Sequence, residues 1–296
     1  MTTFVDIIDE TNLALTGYTN RQDQATFLTA NISSSDLTFT VADGTVLTRG
    51  IVEIDDELIW VDSFDRTTNT ATIPAYGRGF RDTDPASHNA GTRVTIAPSF
   101  PRSVIRRNIN LAIDAVYPDL FGTFYTTFNW QAARTTYVLP NEAIDVLGAS
   151  WQTIGPSREW LPIRHYRVDR MAYPAVWNSG KTISIREGII PGRPVMITYT
   201  KKPTVLQYDA DDFTMTGLPE SAREVIVLGA AYRTAMYLDM GRIPAATAEA
   251  DAQQGNDPIG SAANVGRVLQ QMYQQRLLIE VRRLQEQFPP RTHYTS

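Results

Sequence analysis

The chain has 296 residues, 43% hydrophobic and 20% charged, enough to bury a sizeable core in roughly one to three domains. Cysteine is absent, which excludes disulfides, thiolate nucleophiles and cysteine metal sites. No apolar run is long enough to cross a bilayer and no charged-then-apolar leader follows Met1, so a soluble, non-exported chain is expected; a net charge of -5 is not that of a protein that coats nucleic acid.

Charge is unevenly distributed. Met1 to Asp62 carries eleven acidic residues against Arg21 and Arg49, whereas Ser261 to Ser296 carries five arginines against Glu280 and Glu286. Such polarity fits a subunit that presents different ends to different partners, although solvated faces produce it too. The basic residues are 24 Arg and 3 Lys, a bias that codon usage explains and that interface pairing by Arg would also explain.

In chain order, Thr2 to Leu15 reads as a short helix, with Thr3 and Asp6 spaced as a capping box and Phe4, Ile7, Ile8 and Leu15 on one face. From about Ala25 to Pro98 the period becomes two. Short β-branched runs are punctuated by Asp43-Gly44, Arg49-Gly50 and Gly91, and Asp55-Asp56 sits as an acidic turn between two strand-like arms. We expect a small all-β barrel or sandwich of five or six strands there.

Pro101 to Tyr117 is helical again, with Ile105, Ile109, Ala112, Ile113 and Val116 on one face, and Pro118 stops it. Leu120 to Val205 is a second β-rich region, spaced for an antiparallel sandwich of six or seven strands. It holds Trp130, Trp151, Trp160 and Trp177.

Pro219 to Leu238 is a third helix, in which Gly229 and its neighbouring alanines leave room for another helix to approach. A polar loop from Ala246 to Gly260 follows. The last helix runs from Ser261 to Phe288 and stops at Pro289-Pro290.

That last helix carries two apolar stripes. Val265, Val268, Leu269, Met272 and Ile279 form one, and Leu277, Val281, Leu284 and Phe288 form another, rotated from the first. One stripe docks a helix on its own domain. A second suggests that the distal half, Leu277 to Phe288, meets something else, while Val265 to Met272 completes the subunit's own core.

The expected fold is therefore α+β: a four-helix bundle with two inserted all-β modules and an extended C-terminal helix and tail. The bundle takes 1-20, 101-118 and 218-288, a small barrel-like module takes 21-100, a sandwich takes 119-217, and the tail takes 289-296.

Chemistry is thinly represented. His88, His165 and His293 are far apart in sequence and lack a paired ligand at helical spacing, so no metal is expected. Tyr76-Gly77-Arg78-Gly79-Phe80 lacks the third glycine and the strand-to-helix context of a phosphate cradle, and reads as a turn after a strand. There is no nucleophile elbow. The acidic clusters Asp55-Asp56-Glu57 and Asp209 to Asp212 lack the pattern of a calcium loop and read as solvated turns. Arg102, Arg106 and Arg107 open a helix without an aromatic platform for nucleic acid. No enzyme and no cofactor is expected.

The stretch from Val52 to Ile96, with its acidic hairpin VEIDDELIWV, its Arg-Gly turn and its His88 loop leading to Gly91-Thr92-Arg93-Val94, resembles a small β module of bacteriophage neck and tail proteins. The whole order of helices and β regions resembles the head-to-tail adaptors of tailed phages, most nearly the larger ones of short-tailed phages.

The resemblance implies a structural virion protein: a dodecameric ring beneath the portal protein, linking the capsid vertex to tail nozzle, tube or fibre proteins and letting DNA pass without specific contact. It implies a place in the virion neck, after assembly in the host cytoplasm. It also implies that the C-terminal segment grips the portal, which here means Val281, Arg282, Arg283, Leu284, Phe288, Pro289, Pro290, Arg291 and Tyr294. Two alternatives stand beside it: another tail or collar subunit, and a carbohydrate-binding or cell-wall-degrading β module whose exposed tryptophans stack on sugars.

Overall fold

A computed structural model describes residues 2–16, 23–154, 158–248 and 261–288. Among these the protein has four α-helices and fourteen β-strands, the latter in four antiparallel sheets. The chain divides into two compact units. One comprises Met1–Phe4, Ile113–Arg223 and Arg276–Ser296, and the other Val5–Ala112 and Glu224–Gln275.

In the second of these units, α1 (Phe4–Thr16) leads to seven strands: β1 (Gln24–Phe27), β2 (Thr38–Thr40), β3 (Gly50–Ile54), β4 (Glu57–Val61), β5 (Ser63–Asp65), β6 (Thr70–Thr72) and β7 (Arg93–Ile96). They form two sheets, β1-β7-β3-β4 and β2-β6-β5. Val52, Ile54, Ile59, Val61, Val94 and Ile96 of the larger sheet share one buried cluster with Phe39 and Ala71 of the smaller. That is a sandwich. The barrel expectation is corrected, because β1 and β4 remain edges and neither sheet closes on itself.

The β3–β4 hairpin turns at Asp55, whose φ of 52° lies in the left-handed region that short polar side chains tolerate. α2 (Arg102–Ala115) begins where the Arg102 amide donates to the buried Glu53 carboxylate of β3 at 2.5 Å. Burial raises the Glu53 pKa to about 7, against the opposing pull of the Arg102 amide and guanidinium; the nearby Asp56 and Asp23 charges raise it further.

The other unit holds β8 (Gly122–Asn129), β9 (Thr136–Val138), β10 (Asp145–Gln152), β11 (Trp160–Pro162), β12 (Tyr166–Asp169), β13 (Thr182–Ile185) and β14 (Pro194–Lys201). They pair as β11-β10-β14-β8 and β12-β13-β9. A core of Tyr137, Ala149, Ile183, Ile185, Val195 and Ile197 draws on both sheets, which makes this region the expected antiparallel sandwich. Phe128 stacks on Tyr137 at 3.9 Å between ring centroids.

The helices do not support a four-helix bundle core. Their buried faces are divided: Ile105, Ile109 and Ala112 of α2 fall in one unit, while Ile113 of α2 and Val116 just after it fall in the other. Amphipathic periodicity requires each helix to bury a face, but it does not require that face to meet another helix. A local helix contact does occur. A Cβ placed on Gly229 would lie 3.1 Å from Ala112 Cβ and 3.1 Å from Tyr273 Cε2, so α2, α3 (Arg223–Ala248) and α4 (Ser261–Gln287) converge on the missing side chain.

α3 also runs ten residues beyond the expected stop at Leu238, through Gly241 and Pro244. A proline removes one bond of the helical ladder and can leave its neighbours in place. Residues 249–260 of the expected polar loop lie outside the described residues.

Candidate docking surfaces and a buried ionic lock

Glu57 opens β4, and its carboxylate is almost fully enclosed. One oxygen accepts from Arg78 Nε at 2.8 Å and the Gly79 amide at 2.9 Å. The other accepts from Arg78 Nη2 at 2.9 Å, the Ala86 amide at 3.0 Å and His88 Nε2 at 2.9 Å. Arg78 spends its remaining donors on the Ser33, Asp36 and Ala86 carbonyls, so a buried guanidinium is fully occupied.

His88 Nδ1 lies 2.7 Å from Asp55 Oδ2. With a carboxylate on each nitrogen, the imidazole donates from both and holds its proton.

Burial by itself would raise the Glu57 pKa; the bonds from Arg78, His88, Ala86 and Gly79 outweigh it and hold the carboxyl at about 2. Burial likewise opposes protonation of His88, but Glu57 and Asp55 win and its pKa is raised.

The lock has a geometric consequence. The Gly77 carbonyl accepts from the Trp60 amide at 2.7 Å, and the Phe80 amide donates to the Leu58 carbonyl at 2.8 Å. The loop that Arg78 anchors therefore covers the outer edge of β4, with Phe80 against Trp60 at 5.4 Å. A side chain at position 77 would come within 2.6 Å of the Trp60 carbonyl, which is why glycine stands there. The glycine pair is a turn, as expected. The residues quoted for the phage-like module, Asp55, Glu57, Arg78 and His88, meet in a single structural cluster, and Asp55-Asp56-Glu57 is no uniformly solvated turn. His88 is buried.

The other acidic cluster also serves the backbone: Asp211 Oδ2 accepts from the Gln207 and Tyr208 amides at 2.7 and 2.8 Å, and Asp212 caps the 3-10 turn Phe213–Thr216. Arg102 pairs with Asp9 at 2.7 Å and Arg106 with Asp56 at 2.8 Å, so two arginines of the α2 N-terminus are engaged within the chain.

α4 departs in part from the expected assignment of its stripes. Of the first stripe, Val268, Met272 and Ile279 repeat at spacings of four and seven and are exposed, 42% for Ile279, while Leu269 is buried. In the proximal half Tyr273 packs on Tyr232 at 5.3 Å. In the distal half the second stripe turns inward: Leu284 is 5% exposed, and Phe288 lies 6.5 Å from Phe121 between ring centroids.

Beside them the buried Glu280 accepts from Ser221 Oγ and Arg283 Nη1, both at 2.7 Å, and pairs with Arg276 at 3.3 Å. Val281 is half-buried and Arg282 exposed. Pro289, Pro290, Arg291 and Tyr294 lie outside the described residues. Periodicity announced two faces; only the packing of Phe121, Ser221 and Tyr232 could say which one is inside.

Of the four tryptophans in the second β region, Trp130 is buried in the core and Trp151 packs against it, which leaves Trp160 as the exposed one and Trp177 half-buried near Arg134 at 5.6 Å. Exposed apolar side chains cluster in this region nonetheless. Met171, 93% exposed, Tyr173 and Val176 stand on one loop. No described helix is long and apolar enough to cross a membrane, and no described His, Asp and Glu side chains gather into a group of three or more fit to hold a metal.

The SU10 adaptor protein family matches the chain over residues 88–277. The match begins at the histidine of the ionic lock and ends within α4. No curated protein matches the chain.

Proposed function

Since the chain belongs to the SU10 adaptor protein family, a family of phage structural adaptors, we propose that it forms a ring beneath the portal, joins the capsid vertex to the tail and extends the channel through which DNA passes. The observation that carries this reading is the family match across 88–277, which spans α2, the second β sandwich, α3 and most of α4. Twelve copies, contact with the portal on one side and with tail proteins on the other, and a role without catalysis complete it. An acidic channel wall would let DNA slide, since basic walls bind phosphate.

α4 is the portal-facing arm in this reading, with a division of labour along it. Leu284 and Phe288 anchor the helix to its own chain. Arg282, the rim of Val281 and the segment Pro289 to Ser296, with Arg291 and Tyr294, meet the portal. Deleting residues 289–296 should abolish capture by the portal in a pull-down while leaving the melting transition unchanged. Undiminished capture would remove the portal from this end of the chain. Negative-stain images should show closed rings when the portal is present.

A further inference from the structure

β8 is an edge strand of eight residues, Gly122–Asn129, bonded to β14 on one side alone. In an antiparallel pair, successive residues direct their backbone groups alternately toward the partner and away from it. The Trp130 amide donates to the Arg193 carbonyl and the Thr123 amide to the Gly217 carbonyl, so even-numbered residues face β14 and odd-numbered ones face outward. Gly217 covers the first outward position. Beyond it, no described group bonds the outward N–H and C=O of Tyr125, Thr127 and Asn129.

Bare edges of this length recruit strands from other chains, and proteins usually blunt them with charge, proline, a bulge or a covering loop. β8 reads GTFYTTFN, without charge or proline, and keeps an unbroken register with β14 from Gly122 to Asn129. The same chain covers β4 with the loop held by Arg78.

We propose that the outward edge of β8 from Tyr125 to Asn129 is a strand-acceptor site, which takes one extended, uncharged segment of a different virion protein as the fifth strand of the sheet. An extended backbone is the occupant that matches outward groups recurring about every 7 Å along a strand. Gly217 already seats a backbone carbonyl on the first of them, and the added strand continues that line.

A second copy fits less well. The other described edge strands have five residues or fewer, so β8 would have to pair with its own twin. Antiparallel twins are related by a two-fold axis and point oppositely, whereas an adaptor with distinct neighbours above and below needs all its subunits aligned. This last step rests on the adaptor reading.

The test is amide hydrogen exchange on the isolated protein and on purified particles that contain it, with Thr127→Pro and Thr127→Lys as variants. The Thr127 amide plays no part in pairing with β14, so proline fits this edge and both variants should keep the wild-type melting transition. In the isolated protein the Tyr125, Thr127 and Asn129 amides should exchange rapidly while those of Phe124, Thr126 and Phe128 are protected. In particles the three outward amides should slow by about tenfold or more, and both variants should enter particles at about a tenth of the wild-type level or less.

Three results overturn the proposal: outward amides as fast in particles as in the isolated protein, folded variants that incorporate normally, or protection already present in the isolated protein. Absence of the wild-type chain from particles is a different failure, that of the adaptor reading itself.

Discussion

The β4 and β8 edges belong to two sandwiches of seven strands each, yet they end differently. At β4, Arg78, Glu57 and His88 pin a loop whose Gly77 and Phe80 backbone groups occupy the strand's outer side. At β8, among the described residues, one carbonyl from Gly217 caps the start and the rest stands open. Apolar exposure follows the same division: Phe27, Leu37 and Tyr76 are the exposed large apolar residues of the first region, against ten in the second, Met171 and Tyr173 foremost. A region that closes its edge with a buried ionic network leaves few backbone groups at that edge for an added strand. A region that leaves a flat uncharged edge and apolar loops has surface left for a partner.

The largest effect should come from opening the closed edge. Arg78→Ala takes the guanidinium from the buried Glu57 and leaves it only His88 and the Gly79 and Ala86 amides, which should cost about 3–5 kcal/mol in denaturant unfolding. Exchange at the Trp60 and Phe80 amides should rise with it, because the loop that covers β4 loses its anchor. If stability falls and those amides stay protected, the lock does not hold the loop.

Next is the cap at β8. Gly217 has φ 78°, and a Cβ there would come 2.4 Å from the Phe124 ring. Gly217→Ala should therefore cost roughly 1–3 kcal/mol by strain and overpacking, and should free the Thr123 amide to exchange.

The two buried glutamates of the β3–β4 hairpin give opposite pH behaviour. Glu57, held at about 2, contributes stability present above its unfolded pKa near 4.5 and lost as pH falls toward 2. Glu53, raised to about 7, contributes stability present below 4.5 and lost as pH rises through 7. Glu53→Gln keeps an acceptor for the Arg102 amide and removes the titration. Its melting temperature should equal or exceed that of the wild type at pH 8, with the advantage gone at pH 4.5. His88, with a raised pKa, adds stability that is full below about 6.5 and declines as pH rises through its folded value.

The smallest effect is expected at the open edge. Tyr125→Ala removes an exposed ring and should change stability by about 0.5 kcal/mol or less.

Element types and most boundaries were legible in the sequence. Four amphipathic helices, the acidic hairpin at Asp55-Asp56 and two strand-rich regions follow from local periodicity and turn chemistry, and Gly229 was legible as a place for close helix approach. The lock was only half legible. Glu57, Arg78 and His88 stand 21 and 31 residues apart, and nothing local says that their side chains converge. The resemblance named them as a signature without giving the reason, which is a buried ionic cluster that fastens a loop. For a similar reason the sequence does not show that the distal half of α4 turns Leu284 and Phe288 inward as well. A stripe at helical spacing states that a face is apolar, not which neighbour it finds.

What the sequence determined by itself is which segments are helix and strand, because periods of 3.6 and 2 and the stops at Pro and Gly are local properties. Tertiary structure decided three things: that the buried faces of the helices are divided between two units instead of forming one bundle, that Leu284 lies inside while Ile279 lies outside, and that, among the described residues, one sheet edge is covered and the other bare. Each depends on which distant groups meet. Burial and hydrogen-bond satisfaction are settled between segments far apart in the chain, where no local pattern reaches.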